Sequence, residues 1–208
     1  MNTKTFKLIE LFALFIVIPI SFAIVYPIWL KMTMGLLGFI YVLYVLLKVE
    51  NNKFKIAPNL NWKKFWIQTI VKLVIISIAT IVFVWFTDKS QLFFVLYNKP
   101  KLWIFILFVY SLFSVYPQEL IYRTLYFQRY KSLFKSQSLF MFMNAILFSL
   151  AHLFFRNSLV LILTFLGGLL FAFTYNKTKS TLLVSIEHAI YGSWLFTVGM
   201  GAMLGFPT

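Results

Sequence analysis

The sequence predicts an all-α fold: a polytopic transmembrane helix bundle of about seven spans, forming one integral membrane domain over residues 1–208. Three observations predict it. First, 62% of the 208 residues are hydrophobic and only 12% are charged, against roughly 25% charged in a soluble domain. Second, the hydrophobic residues fall in runs that reach or approach the roughly 20 residues needed to cross a bilayer as helix. Third, the basic residues behind a net charge of +14 lie between those runs, which is where membrane topology puts them. The lipid bilayer is therefore the expected partner of the surface. Nucleic acid is excluded as a partner, because the basic residues form no continuous face. The chain has no cysteine, which removes disulfides, thiolate catalysis and cysteine-bound zinc.

The first apolar run, Leu8–Leu30, follows Lys4 and Lys7. It is too long for a signal-peptide core and reads as a retained span. The others are Met32–Leu47, Ile67–Thr87, Leu102–Phe127, Ser138–Phe155, Leu159–Tyr175 and Thr181–Val198. Between the second and third, Glu50–Lys64 is a polar loop with Asn51, Asn52, Pro58, Asn59 and Asn61. The tail Gly199–Thr208 is Gly-rich and uncharged, either the end of the last span or a short re-entrant piece. Residues 1–100 thus supply N-terminal spans, and 101–198 form the core that carries chemistry.

With a cytoplasmic N-terminus, one side holds Lys4, Lys7, Lys48, Lys53, Lys55, Lys63, Lys64, Arg129, Lys131, Lys135, Lys177 and Lys179. The opposite side holds only Lys31, Lys89, Lys99, Lys101 and Arg156. The excess of Lys and Arg orients the N-terminus toward the cytoplasm; the expected location is the plasma (inner) membrane, of a bacterium. Lys72 lies within a span near its cytoplasmic end, where its stem can snorkel.

Only five residues are acidic and two are histidine. Glu10 opens a span, and Glu50 and Asp88 lie in loops. Glu119, Glu187, His152 and His188 lie inside apolar runs, as does Arg123. An ionisable group at that depth costs roughly 2.5–3.5 kcal/mol, so it is expected to face the protein interior with a partner. Any one of them reads equally well as structural polar glue; five together point to a site. Glu119 and Arg123 stand four apart on one helix face and can pair. Gln118 and His152 each lie 17 residues from Lys135, so a helical hairpin turning there would bring Gln118–Glu119 and His152 to one depth, roughly 25 Å from the turn. Pro117 is expected to kink the first helix of that hairpin. His188 enters from the last span. A carboxylate, two imidazoles and an arginine in a dry pocket suit hydrolysis: Glu deprotonates a water, one His shares it, and the other stabilises an oxyanion. No cofactor is needed. Zinc held by Glu119, His152 and His188 is the metal-based alternative, although the paired-histidine spacing of metalloprotease helices is absent.

These residues fall in three short motifs. Gln118-Glu119-Leu120-Ile121-Tyr122-Arg123 resembles the Glu-Glu-x-x-x-Arg motif of the CAAX protease and bacteriocin-processing family (CPBP, or Abi). Phe148-Ser149-Leu150-Ala151-His152 resembles its Phe-x-x-x-His motif, and His188-Ala189-Ile190-Tyr191-Gly192 its His-x-x-x-Asn motif. The resemblance implies an intramembrane endopeptidase with a water activated by Glu and His and an oxyanion hole formed by the last motif. Its substrate would be a hydrophobic or lipidated peptide, such as a prenylated CAAX protein. Two positions depart from the pattern. Gln118 stands where the first Glu would activate water, and Gly192 stands where the Asn would donate to the oxyanion. Ser193 and Asn144 are candidate replacements for that donor, and Glu119 or Glu187 for the carboxylate; Glu187 also reads as a helix-end carboxylate near the interface. Two other functions remain open on sequence: a catalytically inactive relative that binds hydrophobic partners or serves in immunity, and a transporter with an intramembrane Glu/His proton relay.

Overall fold

In a computed structural model, the structure describes residues 3–52 and 60–204. Among them every regular element is helical. Six helices are long and apolar enough to cross a membrane. They are α1 (Lys4–Phe22), α2 (Ile28–Val49), α3 (Trp62–Thr87), α5 (Pro100–Arg129), α6 (Gln137–Phe155, with a 3-10 final turn) and α7 (Ser158–Thr178). A short α4, Phe94–Asn98, sits between α3 and α5. The last helix, α8 (Thr181–Val198), has 18 residues and is about 27 Å long, close to the hydrocarbon thickness. Its apolar run is interrupted by Glu187 and His188. With α8 the described chain has the expected seven long helices.

Short polar residues mark the starts. Asn61, Ser136, Asn157 and Ser180 each cap a helix by accepting a backbone N–H from the first turn, so the orphan donors there are satisfied. The first turn lies earlier than expected: α1 ends at Phe22 and α2 begins at Ile28, so Leu8–Leu30 is not one span. Pro27 explains this, because the residue before a proline is pushed out of helical geometry. Lys31 consequently belongs to the first turn of α2. The expected loop Glu50–Lys64 and tail Gly199–Thr208 lie partly outside the described residues.

Contacts between helix ends sort the bundle into two faces. At one, Lys7 Nζ donates to the Arg129 carbonyl (3.0 Å), Gln128 to Asn52 (2.8 Å) and Gln137 to Asn176 (3.1 Å). At the other, Arg156 Nη2 donates to the Ala23 carbonyl (2.9 Å) and Trp103 Nε1 to Thr197 (3.0 Å). The long helices therefore alternate in direction. Their outer surfaces are apolar; Ile9, Phe12, Leu36, Leu37, Ile75 and Phe86 are all exposed. Such an area would be an aggregation surface in water and is the contact surface in lipid.

Aromatic rings knit the interior. Phe15 of α1 meets Tyr122 and Tyr126 of α5 and Tyr130 just past its end, edge-on at 5.2, 5.7 and 5.7 Å. These tyrosines are four apart and share one face of α5. On α7, Gly168 lets α6 come close: an added Cβ would lie 3.0 Å from Ala145 Cα. Arg129, expected in a cytoplasmic loop, is instead inside. It is 1% exposed and pairs with Glu10 and Glu50. Glu10 also accepts from the hydroxyls of Tyr41 and Tyr130.

Candidate active site

The site is built on an irregular stretch of α5. Two wide π-helical turns, Tyr110–Val115 and Leu120–Leu125, flank Tyr116–Glu119. Pro117 has no N–H to give the preceding turn and its ring crowds that turn; the wide turns absorb the mismatch, in place of a simple kink. Such turns inside helices are common at functional sites. Here they aim Glu119 and Arg123 inward, and both are fully buried.

Glu119 is held from two sides. Its Oε1 lies 2.7 Å from His188 Nδ1 on α8, and its Oε2 lies 3.4 Å from Arg123 Nε. The arginine contact is an ion pair without the alignment of a hydrogen bond. A carboxylate oxygen can only accept, so His188 Nδ1 carries the proton and Nε2 keeps its lone pair when the ring is neutral. The His188 ring stacks on Phe171 at 4.2 Å and meets Phe148 and Tyr110 edge-on at 5.7 and 6.1 Å. Packing on three sides leaves it little freedom to turn.

Arg123 is fixed in turn. Its Nη1 donates to Asn144 Oδ1 at 2.9 Å, its Nη2 to the Gly168 carbonyl at 3.4 Å, and its guanidinium lies 4.7 Å from the Phe148 ring centre. Asn144 Nδ2 donates to the Tyr122 carbonyl at 2.6 Å. The Asn144 amide is thus engaged in holding Arg123, and it does not line the cavity described next. That geometry suits a support for Arg123 better than the oxyanion donor expected of it.

A cavity of about 760 Å³ opens beside these groups, within the size range of small-molecule and peptide side-chain sites. His152, His188, Gln118, Ser114, Tyr110 and Gly192 line it, together with apolar residues from α1, α2, α3 and α7. Glu119 is behind the wall, reaching the cavity through His188. His152 sits just past the regular part of α6, and its Nδ1 lies 2.8 Å from the Phe148 carbonyl. A carbonyl cannot donate, so Nδ1 holds the proton and Nε2 is again the free nitrogen. Both imidazoles pack on the same ring, Phe148, which joins His152 at 4.9 Å. Gln118 Nε2 donates to Ser114 Oγ at 2.8 Å. Ser193 is not among the lining residues.

Glu187 does not join this group. It is fully buried, forms an ion pair with Lys72 of α3, and accepts from the Tyr191 hydroxyl at 2.8 Å. Lys72 is held by that pair, so it does not simply snorkel. A wider groove of about 900 Å³ between α3, α6 and α7 is lined by Lys72 but by neither histidine. Among the described residues no three of His, Asp and Glu are grouped so that they could hold a metal ion. Sequence reasoning missed Tyr110, the Lys72–Glu187 pair and the burial of Glu10 with Arg129. None has a motif; only the run of tyrosines along α5 hinted at its packed face.

The fold and site together define a polytopic helical membrane protein with a buried glutamate–histidine pair at the wall of an intramembrane cavity. Residues 100–194, a little under half of the chain, match the family model of type II CAAX prenyl endopeptidase Rce1-like proteins. The matched segment runs from α5 into α8 and contains Gln118, Glu119, Arg123, His152, His188 and Gly192. It is the protease family that the three motifs resemble. Neither the curated proteins nor the solved structures give a match.

Proposed function

We propose that this chain is an intramembrane endopeptidase that hydrolyses a peptide bond of a hydrophobic, membrane-associated peptide, with a prenylated C-terminal segment as the substrate class suggested by the family. The observation that carries this is the 2.7 Å contact between Glu119 Oε1 and His188 Nδ1 at the cavity wall. It orients an imidazole with a free Nε2 toward the space where substrate would lie. The arrangement follows the acid–base–orienter logic of hydrolases. His188 Nε2 takes a proton from water as the water oxygen bonds to the peptide carbonyl carbon. The tetrahedral intermediate then collapses, the C–N bond breaks, and His188 returns the proton to the leaving amine nitrogen. His152 Nε2 shares the attacking water. Glu119 stabilises the imidazolium formed between these steps, and Arg123 lies beside the Glu119 carboxylate as its counter-ion. This replaces direct deprotonation of water by Glu119, which does not line the cavity.

One observation favours a second reading, an inactive relative. Gln118 puts an amide where the motif has its first carboxylate, and that amide is already bonded to Ser114. Three variants decide between them in bilayer-embedded protein, read by cleavage of a prenylated or hydrophobic peptide. If the chain is active, Glu119→Gln lowers the rate about 10²–10⁴-fold, the usual contribution of a positioned acid–base group, and Gln118→Ala is tolerated. If it is an inactive relative, wild type is silent and Gln118→Glu acquires activity. Silence from both overturns the catalytic reading.

The charge excess on the side of Lys7 and Arg129 supports a cytoplasmic reading of that face, and the plasma membrane of a bacterium is the proposed location. Reporter fusions after Lys55, Asn98 and Lys179 should read inside, outside and inside. An inside reading after Asn98 contradicts the orientation.

A further inference from the structure

Peptide hydrolysis needs a donor aimed at the carbonyl oxygen as it becomes negative, and a preorganised one matters more than any other single group. The expected Asn is Gly192 here, and Asn144 is spent on Arg123. Most hydroxyls in the cavity are committed. Tyr191 donates toward Glu187 and the Thr69 carbonyl. Thr80 donates to the Ile76 carbonyl, and Thr164 to the Val160 carbonyl. The Tyr122 ring packs edge-on against Phe15 and Phe148.

Tyr110 differs. It lines the cavity, its ring meets that of His188 edge-on at 6.1 Å and that of Phe196 at 4.8 Å, and its hydroxyl takes part in none of the side-chain hydrogen bonds found among the described residues. Its position is also tied to Gly192. A Cβ placed on Gly192 would lie 1.9 Å from Tyr110 Oη and 2.4 Å from Cζ. Gly192 is one helical turn past His188 and shares its face of α8. The tyrosine hydroxyl therefore occupies the volume that any side chain at 192 would fill, beside the proposed base. We infer that Tyr110 is the oxyanion donor of this site, its phenol having replaced the residue-192 side chain from the opposite helix. An unperturbed phenol is protonated at neutral pH and donates one hydrogen bond. Any other residue at 192 would force the Tyr110 ring to move.

This inference rests on the hydrolase reading above, and its tests separate the two. Tyr110→Phe keeps the ring and removes only the donor. It should lower kcat about 10²–10³-fold, the effect of losing one oxyanion donor, with KM nearly unchanged. Wild-type kcat in Tyr110→Phe overturns the donor role alone, whereas a wild type silent toward peptides overturns the hydrolase reading and the donor role with it. The shared volume has a test that needs no activity. Gly192→Asn should lower the melting temperature in detergent or bilayer. Tyr110→Ala combined with Gly192→Asn should be more stable than the sum of the two single losses allows. Additive losses, or a Gly192→Asn variant as stable as wild type, overturn the replacement.

Discussion

Glu119 and Glu10 are both buried carboxylates with an arginine partner, and the contrast between their surroundings separates chemistry from scaffolding. Glu10 is saturated. Arg129, Tyr41 and Tyr130 all donate to it, and Arg129 reaches on to Glu50. No histidine touches it, and it lies at the end of the bundle where α1, α2 and α5 meet. Glu119 has one good hydrogen bond, to a histidine, and a loosely aligned arginine. That histidine faces a cavity. A carboxylate whose two oxygens already accept from three donors has little left to offer a substrate; one that orients an imidazole can act through it. The lesson is that burial and an arginine partner do not mark a catalytic glutamate, whereas its unfilled hydrogen-bonding capacity and a titratable neighbour do.

The sharpest way to break that comparison is to remove the neighbour. His188→Ala should abolish peptide cleavage, a loss of about 10²–10⁴-fold or more. Folding should survive at a cost of about 1–3 kcal/mol for the donor that Glu119 Oε1 loses, because the Glu119–Arg123 pair remains, so cleavage is read per folded molecule. A His188→Ala variant that keeps cleaving would show that Glu119 does not work through this ring. The reverse pattern is expected at the other cluster. Arg129→Met leaves Glu10 and Glu50 without their shared cation, and breaking a buried pair in this way costs about 3–5 kcal/mol. Reversible unfolding in detergent should register that loss, while kcat per folded molecule stays at the wild-type value. Loss of kcat in well-folded Arg129→Met would mean that the two clusters are coupled and that the contrast is false. Pairing Arg129→Met with Glu10→Gln should recover part of the stability, because the uncompensated charge is then gone.

Much of this was legible in the chain because it follows from local quantities. The length of an apolar run decides whether it can cross a bilayer. The cost of an ionisable group inside such a run decides that it must find a partner. Hence the seven helices, and Glu119, Arg123, His152 and His188 as residues to watch, were readable without coordinates. So was the unusual pair of residues at 118 and 192. Pro27 offered a signal for the first turn that the uninterrupted run of hydrophobic residues outweighed.

What only the tertiary structure decided is which partner each polar group found. Glu187 and His188 are neighbours in sequence, yet successive residues diverge by about 100° around a helix. One therefore meets Lys72, 115 positions away, and the other meets Glu119, 69 positions away. Glu10 and Arg129 lie 119 positions apart, and the pairing depends on how α1 packs against the aromatic face of α5. The filling of Gly192's place by the Tyr110 hydroxyl is of the same kind. A single sequence sets the faces of each helix; the rotation and depth at which two faces meet come from packing all seven together, since each apolar contact and each buried charge constrains the rest.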